Sequence, residues 1–225
     1  MKNIVITGTS RGIGYQLAQR FANEGHNVLA ISRNVPQEFA ASDKITCIRA
    51  DIAETGGLDI VAEFLNSTWR HVDIVIHNAG ALILKPFEEI SAEEFEYIYR
   101  VNVFGVAALN RVVLPYMKSG GHVVTISSMG GVQGTIKFAG LSAYSSSKGA
   151  ATTLSELLAE EYKDKGIAFN VLALGAVNTE MLSEAFPGYE APLSAGEMAS
   201  FIHGFALTGN KFFNGKVLQV SSSTP

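Results

Sequence analysis

Asn3-Ile4-Val5-Ile6-Thr7-Gly8-Thr9-Ser10-Arg11-Gly12-Ile13-Gly14 opens the chain with a short β-branched run, a glycine-rich turn and the start of a helical stretch. A run that is apolar at consecutive positions suits a parallel strand covered on both faces. The glycines of the turn permit positive φ, let backbone N–H groups approach a pyrophosphate, and allow close packing of helix on strand. The helix N-terminus adds a partial positive charge. The turn therefore predicts a phosphate-binding site made of Gly8, Ser10, Arg11, Gly12, Ile13 and Gly14. Its glycines are spaced by three residues and then one, unlike the commoner G-x-G-x-x-G, and an ordinary tight turn is the competing reading.

Outward from this stretch, the strand-then-helix unit repeats along the chain. Continuous apolar runs predict strands over Asn3–Thr7, Asn27–Ser32, Ile45–Ala50, Val72–His77, His122–Ser127, Ala168–Leu174 and Lys216–Val220. Helices are predicted over Gly12–Glu24, Gly56–Trp69, Ala92–Lys118, Ala143–Lys165 and Ser194–Leu207. The short segment Arg33–Lys44 contains Pro36, so its helix is brief or absent. Repeated units of this kind imply an α/β fold with a doubly wound, parallel, seven-stranded sheet of the Rossmann type. No linker, repeat or low-complexity tract divides residues 1–225, so a single domain is expected, and only the tail Ser221–Pro225 reads as loose.

The 225 residues are ample for one α/β domain and tight for two. Hydrophobic residues make up 47%, enough for a sizeable core, and charged residues 17%, which argues against disorder. A net charge of −4 gives no electrostatic reason to expect nucleic acid or an anionic membrane as partner. Charges, His or Gly break every apolar run before it reaches the length of a span. No basic segment with an apolar run and cleavage site precedes the first strand, and a soluble cytoplasmic protein is the expectation. The one cysteine, Cys47, sits in the apolar run Ile45–Ile48 and reads as core. The five scattered histidines form no HExxH or Cys/His cluster, so no metal site is expected.

An acidic side chain ending the second strand would bind the ribose 2′-OH of NAD, whereas arginine there suits the 2′-phosphate of NADP. That strand ends Ile31-Ser32-Arg33-Asn34, and Arg11 of the glycine turn can meet the same phosphate, so NADP(H) is the expected cofactor. Two solvated arginines are the competing reading. Tyr144 and Lys148 are four residues apart near the start of a predicted helix, on one face and a turn apart. Of the seven tyrosines only Tyr144 has a lysine at that spacing. The fifth strand ends Thr125-Ile126-Ser127-Ser128, and ligands of parallel α/β sheets bind at the carboxyl ends of strands. A serine hydroxyl there can hold a substrate oxygen, and Tyr144 can return to the same place after a short loop.

Taken in order, these motifs resemble the classical short-chain dehydrogenase/reductase family, and the likeness covers almost the whole chain. The family pattern appears as Thr7-Gly8-x-x-x-Gly12-x-Gly14 and its second signature as His77-Asn78-Ala79-Gly80. Its helix asparagine appears as Asn102, its serine as Ser128, and its Tyr-Lys pair as Tyr144 and Lys148. The resemblance implies carbonyl–alcohol redox chemistry with a nicotinamide dinucleotide. It implies Tyr144 as general acid for reduction, or base for oxidation. A free phenol titrates near ~10, and a nearby Lys148 ammonium together with the oxidised nicotinamide would lower that value. Lys148 would also bind the nicotinamide ribose, Ser128 the substrate oxygen, and Asn102 a relay water behind Lys148. Asp51 and its neighbour Ile52 fall at the adenine contact, and Asn78, Ala79 and Gly80 at the sheet end and adenosine ribose. Gly175, Val177 and Thr179 fall at the nicotinamide carboxamide.

The chain departs from the family pattern in places. Ser127 competes with Ser128, His77 replaces an asparagine, and the loop from Ser128 to Tyr144 is longer than usual. Leu174-Gly175 stands where proline-glycine is usual, so a less rigid loop is expected there. The segment 180–193 is short, is broken by Pro187, Gly188 and Pro192, and holds no Arg or Lys. It predicts a lid with at most a brief helix over Met181–Phe186, and an apolar or weakly polar small ketone, aldehyde or alcohol as substrate. Apolar residues beyond one helix face, such as Val103, Val106, Leu109 and Val113, join the resemblance in predicting a homodimer or homotetramer. A 3-oxoacyl thioester reductase of the same family and a non-catalytic NADP-binding sensor are the alternatives.

Overall fold

The computed structural model describes residues 1–221, so the loose tail expected over 221–225 lies, from residue 222 on, outside the described residues. The strands are β1 (Asn3–Thr7), β2 (Asn27–Ser32), β3 (Ile45–Arg49), β4 (Val72–His77), β5 (Met117–Ser128), β6 (Ala168–Leu174) and β7 (Lys216–Val220). They form one parallel sheet in the order β3-β2-β1-β4-β5-β6-β7. Strand β1 lies between β2 and β4, so strand order reverses there and a crevice opens at the carboxyl ends. The glycine turn after β1 and Asn78-Ala79-Gly80 after β4 stand on either side of that crevice.

The helices are α1 (Gly12–Asn23), α2 (Asp59–Phe64), α3 (Ala92–Tyr99), α4 (Gly105–Val113), α5 (Ser142–Glu161), α6 (Glu180–Ala185) and α7 (Ala195–Thr208). Alternation along the strands divides the core into two layers. Ile4, Ile6, Ile74, Ile76, Val124 and Leu172 pack on one face against Leu17 and Phe21 of α1 and Met198 and Ile202 of α7. Val5, Leu29, Val75, Val123 and Phe169 pack on the other against Val61, Leu109 and Val113. Burying both faces is why the strands read as unbroken apolar runs rather than alternating ones.

Several predicted boundaries move. The helix expected over Ala92–Lys118 is α3 and α4 joined by a widened π-helical turn, Arg100–Phe104, and it ends at Val113. A 3-10 turn over Leu114–Tyr116 follows, because Pro115 lacks an N–H and its ring crowds the preceding turn. Met117 and Lys118 then belong to β5, which starts before His122 and slips register between its Val72 and Ile74 pairings. The helix expected from Gly56 begins only at Asp59 and closes as a π turn, Leu65–Trp69. The segment Arg33–Lys44 holds a short 3-10 turn, Gln37–Ala41, as its proline foretold.

The residues offered as interface material are partly core. Val106, Leu109 and Val113 are buried within the chain itself, because the face of α4 that looked surplus packs on the sheet. Exposed apolar residues on this side include Phe104 and Leu157, at 58% and 64% exposure. No helix among the described residues is long and apolar enough to cross a membrane.

Candidate active site

The turn between β1 and α1 is built by close approach. A Cβ on Gly8, whose φ is +71°, would lie 2.7 Å from Ala79 Cα. A Cβ on Gly14 would lie 2.2 Å from the Gly8 carbonyl oxygen and 2.4 Å from Asn78 Nδ2. Asn78 stitches the two sides of the crevice: its Nδ2 donates to the Thr7 and Gly8 carbonyls at 3.0 and 3.1 Å. The backbone N–H groups of Asn78 and Ala79 both donate to Thr7 Oγ1, at 3.1 and 3.0 Å. Arg11 is the N-cap residue of α1, and its side chain, which has no acceptor, leaves the first helical N–H groups without a side-chain cap.

This end of the crevice is a cleft of about 580 Å³. Every residue assigned to the glycine turn except Gly14 lines it, as do Arg33, Asp51, Ile52, Asn78, Ala79, Gly80 and Thr179. Gly14 lies beneath the turn, against Gly8. Arg33 Nη1 donates to the Tyr97 hydroxyl at 3.0 Å and stands 3.9 Å from Asp51 Oδ2. Asp51 Oδ1 accepts from the Ala53 N–H at 2.9 Å. Sequence reasoning did not single out Tyr97; it lies 64 residues from Arg33 on another element, and no local pattern marks it. Ser32 was also passed over: its hydroxyl bonds the Asn34 carbonyl and receives Thr9 Oγ1, closing the end of β2.

At the other end, α5 delivers Tyr144 and Lys148 a turn apart, with the ammonium 5.8 Å from the phenol ring centre. Both line the cleft. Lys148 is buried and Nζ donates to the Ile126 carbonyl at 2.9 Å. Burial pushes its ammonium down to about 8. Burial also pushes the Tyr144 phenol up, and a hydrogen bond with the Ser128 hydroxyl opposes that shift. The two competing serines part ways: Ser127 Oγ is turned to α5, donating to the Lys148 carbonyl and sharing a 3.0 Å bond with Thr152 Oγ1. Ser128 meets Tyr144.

The π turn carries Asn102 into the interior, where single π turns in helices often sit. Its Nδ2 donates to the Ala81 carbonyl and to Ser147 Oγ, both at 2.9 Å, and its Oδ1 accepts from the Ala81 N–H at 2.8 Å. A Cβ on Gly80 would stand 3.3 Å from Lys148 Nζ and 3.5 Å from Asn102 Oδ1, so these two groups converge on one backbone position. His77 is buried with Nε2 2.9 Å from Asn110 Oδ1, and burial pushes its ring down to about 4. It is a neutral packing residue on β4.

Tyr144 and Thr179 also line a second cavity of about 570 Å³, with Ser128 on its wall. Leu82, Phe138, Leu141, Met181, Phe186 and Tyr189 are among its apolar lining, and no charged side chain lines it. Of these, the sequence pointed to Met181 and Phe186 as lid residues; Leu82, Phe138 and Leu141 come from loops without a distinguishing pattern. The Gly175 loop is anchored despite lacking proline: its N–H donates to the Val220 carbonyl at 3.0 Å, and the Asn178 N–H to the Leu193 carbonyl at 2.7 Å. Val177 is buried against the cavity, and Thr179 caps α6, the brief helix expected of the lid.

A family model described as short chain dehydrogenase matches residues 2–190. The chain is 32% identical to 3beta-hydroxysteroid dehydrogenase 1 of Eggerthella lenta, over 84% of this chain and 76% of that protein. Among solved structures, ElxO with NADP bound superposes with a TM-score of 0.85 at 26% identity, covering 98% of both chains. A 4-hydroxyisoleucine dehydrogenase mutant complexed with NADH and succinate shares the fold, with a TM-score of 0.89 at 21% identity over 99% of this chain and 98% of that one. With the sheet order, the glycine turn and the Tyr-Lys helix all in place, the chain belongs to the short-chain dehydrogenase family of oxidoreductases.

Proposed function

We propose that this protein is an NADP(H)-dependent oxidoreductase that interconverts a small, apolar or weakly polar carbonyl compound and its alcohol, with Tyr144 as general acid and base. The observation that carries this reading is the meeting of Tyr144, Ser128 and Lys148 at the border of a glycine-walled cleft and an uncharged cavity. Kinship with a hydroxysteroid dehydrogenase and the NADP held by a solved relative support it.

The cleft fits a dinucleotide, because a Cβ at Gly8 would meet backbone and the first N–H groups of α1 have no side-chain cap. When bound, the nicotinamide supplies or accepts the hydride. In reduction, Ser128 Oγ holds the carbonyl oxygen while the Tyr144 hydroxyl gives it a proton as the carbon gains hydride. Oxidation reverses both transfers. Lys148, charged at neutral pH despite its burial, steadies the phenolate that remains and returns a proton to it. Both N–H groups of Asn102 Nδ2 are committed to Ala81 and Ser147, so only Oδ1 has acceptor capacity for a relay water. The uncharged cavity wall offers no partner to an anionic substrate, which favours a neutral carbonyl held by Ser128, Tyr144 and apolar contacts.

Tyr144→Phe should still bind nucleotide and lose turnover by roughly 10² or more, the usual scale for a positioned proton donor. Steady-state assay at the nicotinamide absorbance over a graded series of carbonyls measures this, and near-wild-type turnover would refute the mechanism. Arg33 keeps 63% of its side chain exposed, so a 2′-phosphate can compete with the Tyr97 hydroxyl and the Asp51 carboxylate for it. NADPH should bind tighter than NADH, and Arg33→Asp should erode that preference roughly tenfold, the scale of a charged hydrogen bond. Tighter binding of NADH by the wild type would sink the cofactor assignment.

A further inference from the structure

An ion pair ties the lid to the glycine turn. Arg11 and Glu184 are separated by 173 residues, yet the two terminal nitrogens of Arg11 donate to the two carboxylate oxygens of Glu184, Nη2 to Oε2 at 2.9 Å. Glu180, one turn earlier on α6, brings a second carboxylate: its Oε2 stands 3.3 Å from where a side chain on Gly12 would begin. The Glu184 hydrogen bond holds the Arg11 guanidinium above its ordinary value; burial opposes it and the charge of Glu180 adds to it. The side chains of Arg11 and Glu184 are 48% and 61% exposed, so the pair is open to competition from solution.

The same arginine lines the nucleotide cleft. A guanidinium presents its paired terminal edge to one planar anion at a time. While Glu184 occupies that edge, a phosphate cannot take it, and the carboxylate charge repels a phosphate nearby. Met181 and Leu182 of α6 and Phe186 beyond it line the substrate cavity, so whatever frees α6 also frees that wall.

We propose that Glu184 is a positioning residue that competes with the 2′-phosphate of the nucleotide for Arg11, so that filling the phosphate end of the cleft unties α6 and loosens the substrate-cavity wall. The inference rests on the NADP(H) reading above. Nucleotide then prepares the cavity for substrate, and Glu184 lowers affinity for the very phosphate that selects NADP.

Titration calorimetry of the full chain with adenosine 2′,5′-bisphosphate and with adenosine 5′-monophosphate, which differ only by the 2′-phosphate, tests this. Glu184→Gln keeps the shape and removes the charge. The variant should bind the bisphosphate about two- to fivefold tighter than wild type, as suits an exposed ion pair, with the monophosphate unchanged. Amide hydrogen exchange over residues 180–185 of the wild type should quicken on saturation with the bisphosphate and not with the monophosphate. If Glu184→Gln leaves the affinity ratio unchanged or lowers it, or if exchange does not respond, the inference is overturned. A wild type that favours the bisphosphate while the variant changes nothing strikes the competition alone. A wild type and variant that both bind the two ligands equally strike the NADP(H) reading as well. A variant that gains a preference absent in the wild type upholds the competition, provided the exchange also responds to the bisphosphate.

Discussion

Lys148 sits where its charge is costly. Burial holds its ammonium down to about 8, against 10.5 for the free group. The unfolded chain therefore binds this proton more tightly than the folded one, and stability rises with pH across that interval. The penalty is fully present below pH 8 and fades as pH climbs toward 10.5. At about 1.4 kcal/mol per pKa unit, Lys148→Met should stabilise the nucleotide-free protein at neutral pH by on the order of 3 kcal/mol while abolishing activity. Urea unfolding at pH 7 and pH 10 checks both size and sign: the gain should shrink at the higher pH. A variant less stable than wild type at pH 7 would show that the Ile126 carbonyl compensates the buried charge in full.

The β1 turn and α1 act as a unit whose tolerance is set by Gly14. A methyl group there would lie 2.2 Å from the Gly8 oxygen and 2.4 Å from Asn78 Nδ2, and neither neighbour can yield without breaking the Thr7–Asn78 stitching. Gly14→Ala should cost on the order of 2 kcal/mol of stability, the scale of overpacking a tight contact. It should also weaken nucleotide binding at least tenfold, because α1 must back away from the phosphate site. Thermal unfolding and cofactor titration of the same preparation measure the two effects; unaltered nucleotide affinity would count against the turn as the phosphate cradle. Across the sheet, the π turn at Arg100–Phe104 is the counterpart element, since it brings Asn102 to Ala81 and Ser147.

Over the whole chain, the apolar surface still uncovered around α4 and α5 centres on Phe104 and Leu157. Helix α5 packs against the π turn that holds Phe104, so both residues belong to one helical layer. Self-association through this layer would cover them, and a dimer or tetramer is expected by light scattering at micromolar concentration. Leu157→Arg should shift the particle toward a single chain while leaving the fold intact, as judged by circular dichroism. A wild type with the mass of one chain would refute the assembly.

Local order in the sequence was sufficient for the strands, the parallel class of the sheet, the glycine turn and the Tyr144–Lys148 spacing. These features depend on residues close in the chain, whose geometry follows from backbone periodicity and from what glycine permits. Contacts between distant segments escaped that reasoning. The sequence already favoured Ser128 over Ser127; what folding added is the partner of each, Ser127 turned to Thr152 and Ser128 meeting Tyr144. The surplus apolar face of α4 proved to be core, because periodicity reports an apolar stripe and not what covers it. Tyr97 on Arg33 and Glu184 on Arg11 join elements 64 and 173 residues apart, and such pairs exist only because the sheet order brings their helices to one crevice.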